Sequence, residues 1–332
     1  MSAAQSLFSR WLSSRPPSAA LEISANRVTV AIVTEQGKAR VLSGHASEAL
    51  PAGAVEPALN ATNVHDPAAL AAAVTSALDK VSPRPRRVAL VLPDPVGKLS
   101  LLRFEKVPAK AQDLDQLIRW QMRKAVPFKI EEGQISWIPG VALPDGGREY
   151  LVTIARRDII ESYERACQAA GAHPGIVDLA TVNLVNAVLA TETGGAPSAA
   201  DWLLVHVAAD YSTLAVVRGG DVIFFRTRPA ERDDDLSDLV HQTTMYHEDR
   251  LGGGFSRVVL AGASSRGLEQ AERLRRDLEE RVGTRIETLD FRGAVALRDR
   301  IAAAPALLDS LAPSIGVILR ERVRSTGSGQ VA

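Results

Sequence analysis

Apolar and polar positions along this chain follow two periods, and one pattern occurs twice. From Leu21 the run LEISANRVTVAIVTEQGKARVL passes from apolar residues through a small polar knot to a second apolar run and a glycine. From Val205 the run VHVAADYSTLAVVRGGDVIFF does the same. Each reads as strand, tight turn, strand. Superposed, Ile23 pairs with Val207, Thr29 with Thr213, Ala31 with Ala215 and Ile32-Val33 with Val216-Val217, and Gly37 falls near Gly220. The copies lie too far apart for a solenoid, so they predict two large related halves, each opening with a β-hairpin.

Helical spacing alternates with strands elsewhere. Asp66 followed by Pro67 starts a helix with Leu70, Val74 and Leu78 on one face. VALVLPD (88–94) reads as a buried strand. Leu114, Leu117, Ile118, Gln121 and Ala125 line a helix that Pro127 stops. REYLVTIARRDIIESYERACQAAG predicts strand then helix, with Asp158 as cap, Glu161 completing a capping box and Gly171 at the exit. Ile159, Ile160, Tyr163, Ala166 and Cys167 follow core spacing there, so Cys167 reads as packing. The second half predicts a helix over 234–250, the strand RVVLAG, a turn at Ala263-Ser264-Ser265 and a helix from Gly267 to Val282. A strand at Arg285–Leu289 and a last helix from Pro313 to Arg322 follow. The expectation is an α/β fold of two mixed sheets with helices outside and a ligand crevice between the halves.

Charge sharpens this little. Across 332 residues, 39 basic and 39 acidic side chains cancel, so no overall field draws the chain to nucleic acid or membrane. One cysteine excludes a disulfide framework and a cysteine-built metal site, and fits a reducing cytoplasm. No run of about 18 apolar residues is present, and Ser6, Ser9 and Arg10 interrupt any signal-peptide core. A cytoplasmic chain is expected. The opening segment could present Leu7, Phe8, Trp11 and Leu12 on one side of a short helix, to a membrane, a partner or its own domain. The tail RSTGSGQVA is polar and reads as disordered.

Several apparent motifs fail on inspection. Gly97-Lys98-Leu99-Ser100 mimics the end of a P-loop, but the upstream glycine would fall on Leu92 and the hydroxyl on Leu99. Gly252 to Gly254 reads as a helix exit. His241 and His247 face apart on one helix, which argues against a shared metal. The run Glu231 to Asp235 reads as a solvated helix start. The scattered histidines offer no triad, so no catalytic residue is assigned.

The order of RFEKVP (103–108), the helix ending in KAVPF, the strand and helix LVTIARRDIIESYERACQAAG and the segment VVLAGASSRGL resembles the PilM family of type IV pilus assembly proteins, which is related to the cell-division protein FtsA. The resemblance runs from about Ala20 to Arg322. It implies an actin-like (ribonuclease H-like) ATPase fold with an inserted small α+β domain. The expected layout is a flexible segment at 1–19, a first half at 20–94 and 173–200, an insert at 95–172, a second half at 201–322 and a disordered tail at 323–332.

In that superfamily the hairpin turns hold phosphate through backbone N–H groups, and aspartates hold Mg²⁺. This chain departs at each loop. Glu22 and Ser24 stand where Asp and Gly are usual, with Asn26 beyond. His206 and Ala208 replace Asp and Gly, with Asp210, Ser212 and Thr213 following. The third loop keeps only Gly262 of a glycine pair, before Ser264. A neutral imidazole adds no negative charge for a hard cation, and it can equally be a strand histidine satisfied by a neighbour. ATP with Mg²⁺ is the ligand a retained site would take, and backbone N–H groups with the hydroxyls of Ser212 and Thr213 can still hold phosphate. Hydrolysis is not expected.

The resemblance further implies a scaffold peripheral to the cytoplasmic face of the inner membrane. Its insert would help bind the N-terminal cytoplasmic peptide of a PilN-like inner-membrane partner within the pilus complex. Arg103, Phe104, Trp120, Phe128 and Arg156 are the candidate anchors, each of which could instead be packing. Two other functions stay open: a Mg-ATP-dependent switch or filament protein that associates with itself, and a cytoplasmic component of the GspL kind from type II secretion.

Overall fold

The computed structural model describes residues 17–37, 39–192, 200–230, 233–251, 253–298 and 301–327. Leu7, Phe8, Trp11 and Leu12, the glycine at 252 and the end of the tail lie outside the described residues, as do Glu231 and Arg232 of the acidic run.

Strands β1 (Ala19–Ile23), β2 (Arg27–Gln36) and β3 (Ala39–Ala49) form an antiparallel meander. Two strands, β4 (Arg87–Leu92) and β8 (His173–Leu179), extend it in parallel beyond β1. A short β14 (Ala296–Leu297) lies against β3, giving a sheet in the order β14-β3-β2-β1-β4-β8. The second sheet repeats the logic. There β9 (Trp202–Val207), β10 (Tyr211–Arg218) and β11 (Asp221–Pro229) form the meander, and β12 (Val258–Ala261) and β13 (Ile286–Thr288) follow in parallel. Its order is β11-β10-β9-β12-β13.

The two registers coincide. Glu22 faces Thr29 across β1–β2 as His206 faces Thr213 across β9–β10. Glu22 neighbours Val91 on β4, and His206 neighbours Ala261 on β12. The expected pairing of Thr29 with Thr213 is therefore met in three dimensions, although each half opens with three strands rather than two.

Both faces of each sheet are covered, which explains the nearly continuous apolar runs. Alternate residues go to opposite cores. Leu21, Val28, Val30 and Leu90 pack outward with α1 (Pro67–Asp79) and α3 (Arg157–Ala169). Ala20, Ala31 and Ala89 point inward to α4 (Ala180–Thr191) and α7 (Pro305–Gly327), as do Leu204 and Ala215 of the second sheet. Its outer face receives α5 (Asp233–Leu251) and α6 (Leu268–Val282) through Leu236, Val240, Leu274 and Leu278. Small side chains on the inner faces let the two central helices fit between the sheets. Where α4 and α7 cross, a Cβ on Gly316 would stand 1.7 Å from the carbonyl oxygen of Asn183, so only glycine permits that approach.

A third sheet, β5 (Gly97–Phe104), β7 (Arg148–Arg156) and β6 (Gly133–Ala142) in that order, has its own core with α2 (Ala111–Met122). Although it follows directly in sequence, α3 packs on the first sheet through Ile159, Tyr163 and Cys167.

Three local expectations are corrected. The capping box at Asp158 does not form: α3 starts earlier, at Arg157, and Arg156 draws the Asp158 carboxylate into an ion pair. Glu161 instead lies 3.7 Å from Arg165. Helix α2 ends at Met122, which takes the last core position, and Ala125 is exposed in the turn that brings Ile130 back to the core. Pro313 sits inside α7 rather than at its start. Expected cap Asp66 does accept from the amide of Ala69 at 2.9 Å. Among the described residues, no helix is long and apolar enough to cross a membrane.

Candidate functional site

The parallel registers bring the ends of β1, β9 and β12 together between the halves. The cavity there measures about 30 Å³ and is lined by Glu22, Ser24, Asn26, His206, Ala208 and Gly262, with Asp309 of α7. Thr213, Ser212 and Asp210 flank it on β10 and its preceding turn without reaching its wall. The amide of Ser264 donates to Asp309 Oδ2 at 2.9 Å. Each hairpin turn closes on itself: Ser24 N donates to Arg27 O, and Ala208 N to Tyr211 O, both at 2.9 Å. Ser24 Oγ donates within the same turn, to Asn26 Oδ1 at 3.1 Å.

Asp94, absent from the expected set, is the centre of this region. It is 1% exposed and closes β4 through Pro93. Its Oδ1 accepts from Thr181 N at 3.0 Å, and its Oδ2 from Thr213 Oγ1 at 2.7 Å and from the Thr181 hydroxyl. His206 Nδ1 lies 2.7 Å from Thr181 Oγ1 and 3.7 Å from Asp94 Oδ2, with its ring edge-on to Tyr211 at 5.3 Å. The repeat carried a signal for Asp94: counted from the matched Val91 and Ala261, it occupies the place of Ser264.

Electrostatics here follow from burial. Desolvation raises the Glu22 carboxyl above its ordinary value, against the lowering effects of Arg27 and His206 and with a further push from Asp94. Glu22 Oε2 is buried and has no hydrogen-bond partner. Burial likewise raises Asp210. This arrangement does not fit a nucleotide with Mg²⁺. Small-molecule sites run to about 300–1,000 Å³, and the side of the Gly262 turn that a Cβ would enter is already filled by Val207 O at 2.4 Å and His206 Cδ2 at 3.1 Å.

A larger opening lies on the insert side. Two cavities of about 670 and 730 Å³ share Asn60 as a common wall. Phe128 lines the first with Arg123, Lys129 and Glu131; Arg156 lines the second with Asn63, Ile159 and Arg165. Arg156 donates to Asn60 Oδ1 at 2.9 Å and to Asp158 Oδ1 at 3.0 Å. The loop before α1 is held in shape from inside. Asn63, 1% exposed, donates to the carbonyls of Ala58 and Ala61 at 2.8 Å and accepts from Tyr163 Oη at 3.1 Å.

The other expected anchors are elsewhere. Phe104 is buried in the insert core, edge-on to Tyr150 at 5.8 Å. Trp120 is 63% exposed on α2 and Arg103 reaches toward Asp145 at 3.9 Å, neither lining either cavity. Asn60 and Asn63 were missed, since nothing in the polar stretch between Leu59 and His65 separates an anchor from an ordinary loop.

The family described as type IV pilus assembly protein PilM matches this sequence over residues 20–238, more than half of the chain. A search of curated proteins finds no sequence relative. A solved PilM–PilN type IV pilus biogenesis complex superposes with a TM-score of 0.76 at 20% identity, covering 94% of this chain and 99% of that one. A protein with an actin-like ATPase fold and unknown function from Bacteroides thetaiotaomicron follows at 0.51 and 9% identity, covering 93% and 98%. At such identities the likeness establishes the fold, which is actin-like.

Proposed function

Because the chain belongs to the PilM family of type IV pilus assembly proteins, we propose that it is a scaffold peripheral to the cytoplasmic face of the inner membrane. There it receives the N-terminal cytoplasmic peptide of a PilN-like protein in the groove around Asn60.

The observation that carries this reading is the pair of cavities joined at Asn60, between the loop before α1 and the insert. Peptide recognition needs an apolar surface and a few fixed polar groups. Phe128 and Ile159 supply the first, and Arg156, already held by Asn60 and Asp158, supplies the second. A groove held in shape beforehand loses less entropy on binding. The cleft between the halves, by contrast, gives the Mg-ATP switch no support, as its cavity holds only one or two waters at about 30 Å³.

The test is titration of a synthetic PilN N-terminal peptide into the purified protein by calorimetry. Binding at micromolar concentration is expected. Phe128→Ala and Arg156→Glu should each weaken it by about tenfold or more, as loss of an aromatic or arginine anchor does. Arg103→Glu should leave it unchanged. No binding, or equal effects of Arg103→Glu and Arg156→Glu, would overturn the assignment of this groove.

A further inference from the structure

Three loops that carry phosphate and metal in related folds here converge on one another. Donor counting gives the direction of every bond. Thr181 has a single hydroxyl proton, and it goes to Asp94 Oδ2, so across the 2.7 Å contact His206 must donate from Nδ1. The proton of Thr213 also goes to Asp94, so Thr227 donates to Thr213 at 3.0 Å. One carboxylate thus gathers β4 and α4 of the first half with β9, β10 and β11 of the second.

The same geometry explains the histidine. A carboxylate at position 206 would face Asp94 at close range, with Glu22 and Asp210 also nearby, and like charges so placed repel. An imidazole instead donates into the network. The third loop is closed as well: Gly262 adopts φ +82° directly against Val207 O, and Asp309 of α7 takes the Ser264 amide. Arg266 Nη2 donates to Ala208 O of the second turn at 3.0 Å.

We propose that the cleft between the halves is bridged by a side-chain clamp centred on Asp94, which occupies the place of a bound nucleotide and fixes the relative position of the halves without a ligand. The clamp makes no use of the groove around Asn60 and stands or falls independently of peptide binding. It predicts that this chain holds one interdomain geometry whether or not nucleotide is present.

Spin labels on cysteines introduced at the exposed positions Gln36 and Asp277 report the distance between halves, the native Cys167 being buried. The full chain should give a single narrow distance, unchanged by millimolar ATP and Mg²⁺. Asp94→Ala should lose the narrow distance. Thr213→Val, a smaller change that keeps the shape of the strand, should broaden it in the same direction if Asp94→Ala does not fold. The proposal is overturned if Mg-ATP shifts or narrows the distance in the unmodified chain, or if it stays narrow in Thr213→Val and in any folded Asp94→Ala protein.

Discussion

Asp201→Asn offers a stringent test of how the second half is held. Asp201 precedes β9 and is 8% exposed. Arg218 donates to it in a fork, Nε to Oδ1 and Nη2 to Oδ2, each at 2.6 Å, and His247 Nε2 lies 2.6 Å from Oδ2. The other His247 nitrogen lies 2.7 Å from Gly253 O, so both must carry protons for the two bonds to coexist. Three donors therefore meet two oxygens. Asparagine supplies one acceptor and turns an NH₂ toward another donor. Breaking a buried ion pair by removing one partner costs about 3–5 kcal/mol. The Arg218 side chain is 38% exposed and recovers water, whereas that of His247, at 3%, does not, which places the loss at about 3 kcal/mol, or roughly 150-fold in the folding equilibrium. Urea unfolding at pH 7, followed by far-ultraviolet circular dichroism, measures it. Burial alone would raise the Asp201 carboxyl, but the hydrogen bonds and charges of Arg218 and His247 hold it below its ordinary value of 3.8. A depressed carboxyl stabilises the fold above pH 3.8, and this contribution disappears as pH falls through the folded-state value. The difference between the two proteins should shrink there. A loss under about 1 kcal/mol at pH 7, or one that persists at the acid end, would refute the reasoning.

Two further outcomes follow from burial. For Glu22→Gln the sign is opposite: the Glu22 carboxyl is raised above 4.5, mainly by burial, so its contribution is present below pH 4.5 and lost as pH rises through the folded-state value. The variant should match or exceed the parent in urea midpoint at pH 7, with the gain disappearing near pH 4; a variant weaker at both pH values would contradict this. Cys167 is fully buried and its thiol is pushed up to about 12 by burial, with Glu164 adding to it, so the folded chain at pH 8 should react with an aromatic disulfide reagent only as fast as it opens. Prompt labelling of native protein would show the core around α3 to be looser than described.

Legibility in the sequence tracked distance along the chain. The matched pairs Ile23–Val207 and Thr29–Thr213 could be seen because strand pairing preserves the alternation of apolar and polar residues over many positions. The Asp66 cap was visible because its partner, Ala69, is three residues away. Asp158 offered an equally local signal and failed, since the neighbouring arginine at 156 competes for its carboxylate. Phe104 and Phe128 look alike in sequence, and only the pairing of β5 with β7 decides that Phe104 faces Tyr150 in the core. Nothing local marks Asp94: VLPDP reads as a strand end, and its partners Thr181 and Thr213 lie 87 and 119 residues on.

That distance changes the meaning of the substitutions themselves. Read singly, Glu22, His206 and the missing second glycine each subtract something from a phosphate site. In three dimensions they share neighbours. Asp94 tolerates an imidazole at 206 better than a second carboxylate, the imidazole and the Val207 carbonyl fill the space beside Gly262, and Glu22 is buried in the same cleft with an unpartnered oxygen. Restoring aspartate at position 206 alone would place it against Asp94 rather than recreate a metal site. A nucleotide site in this cleft would require the Asp94 contacts to open as well, and changes at positions that share neighbours behave as a coupled set.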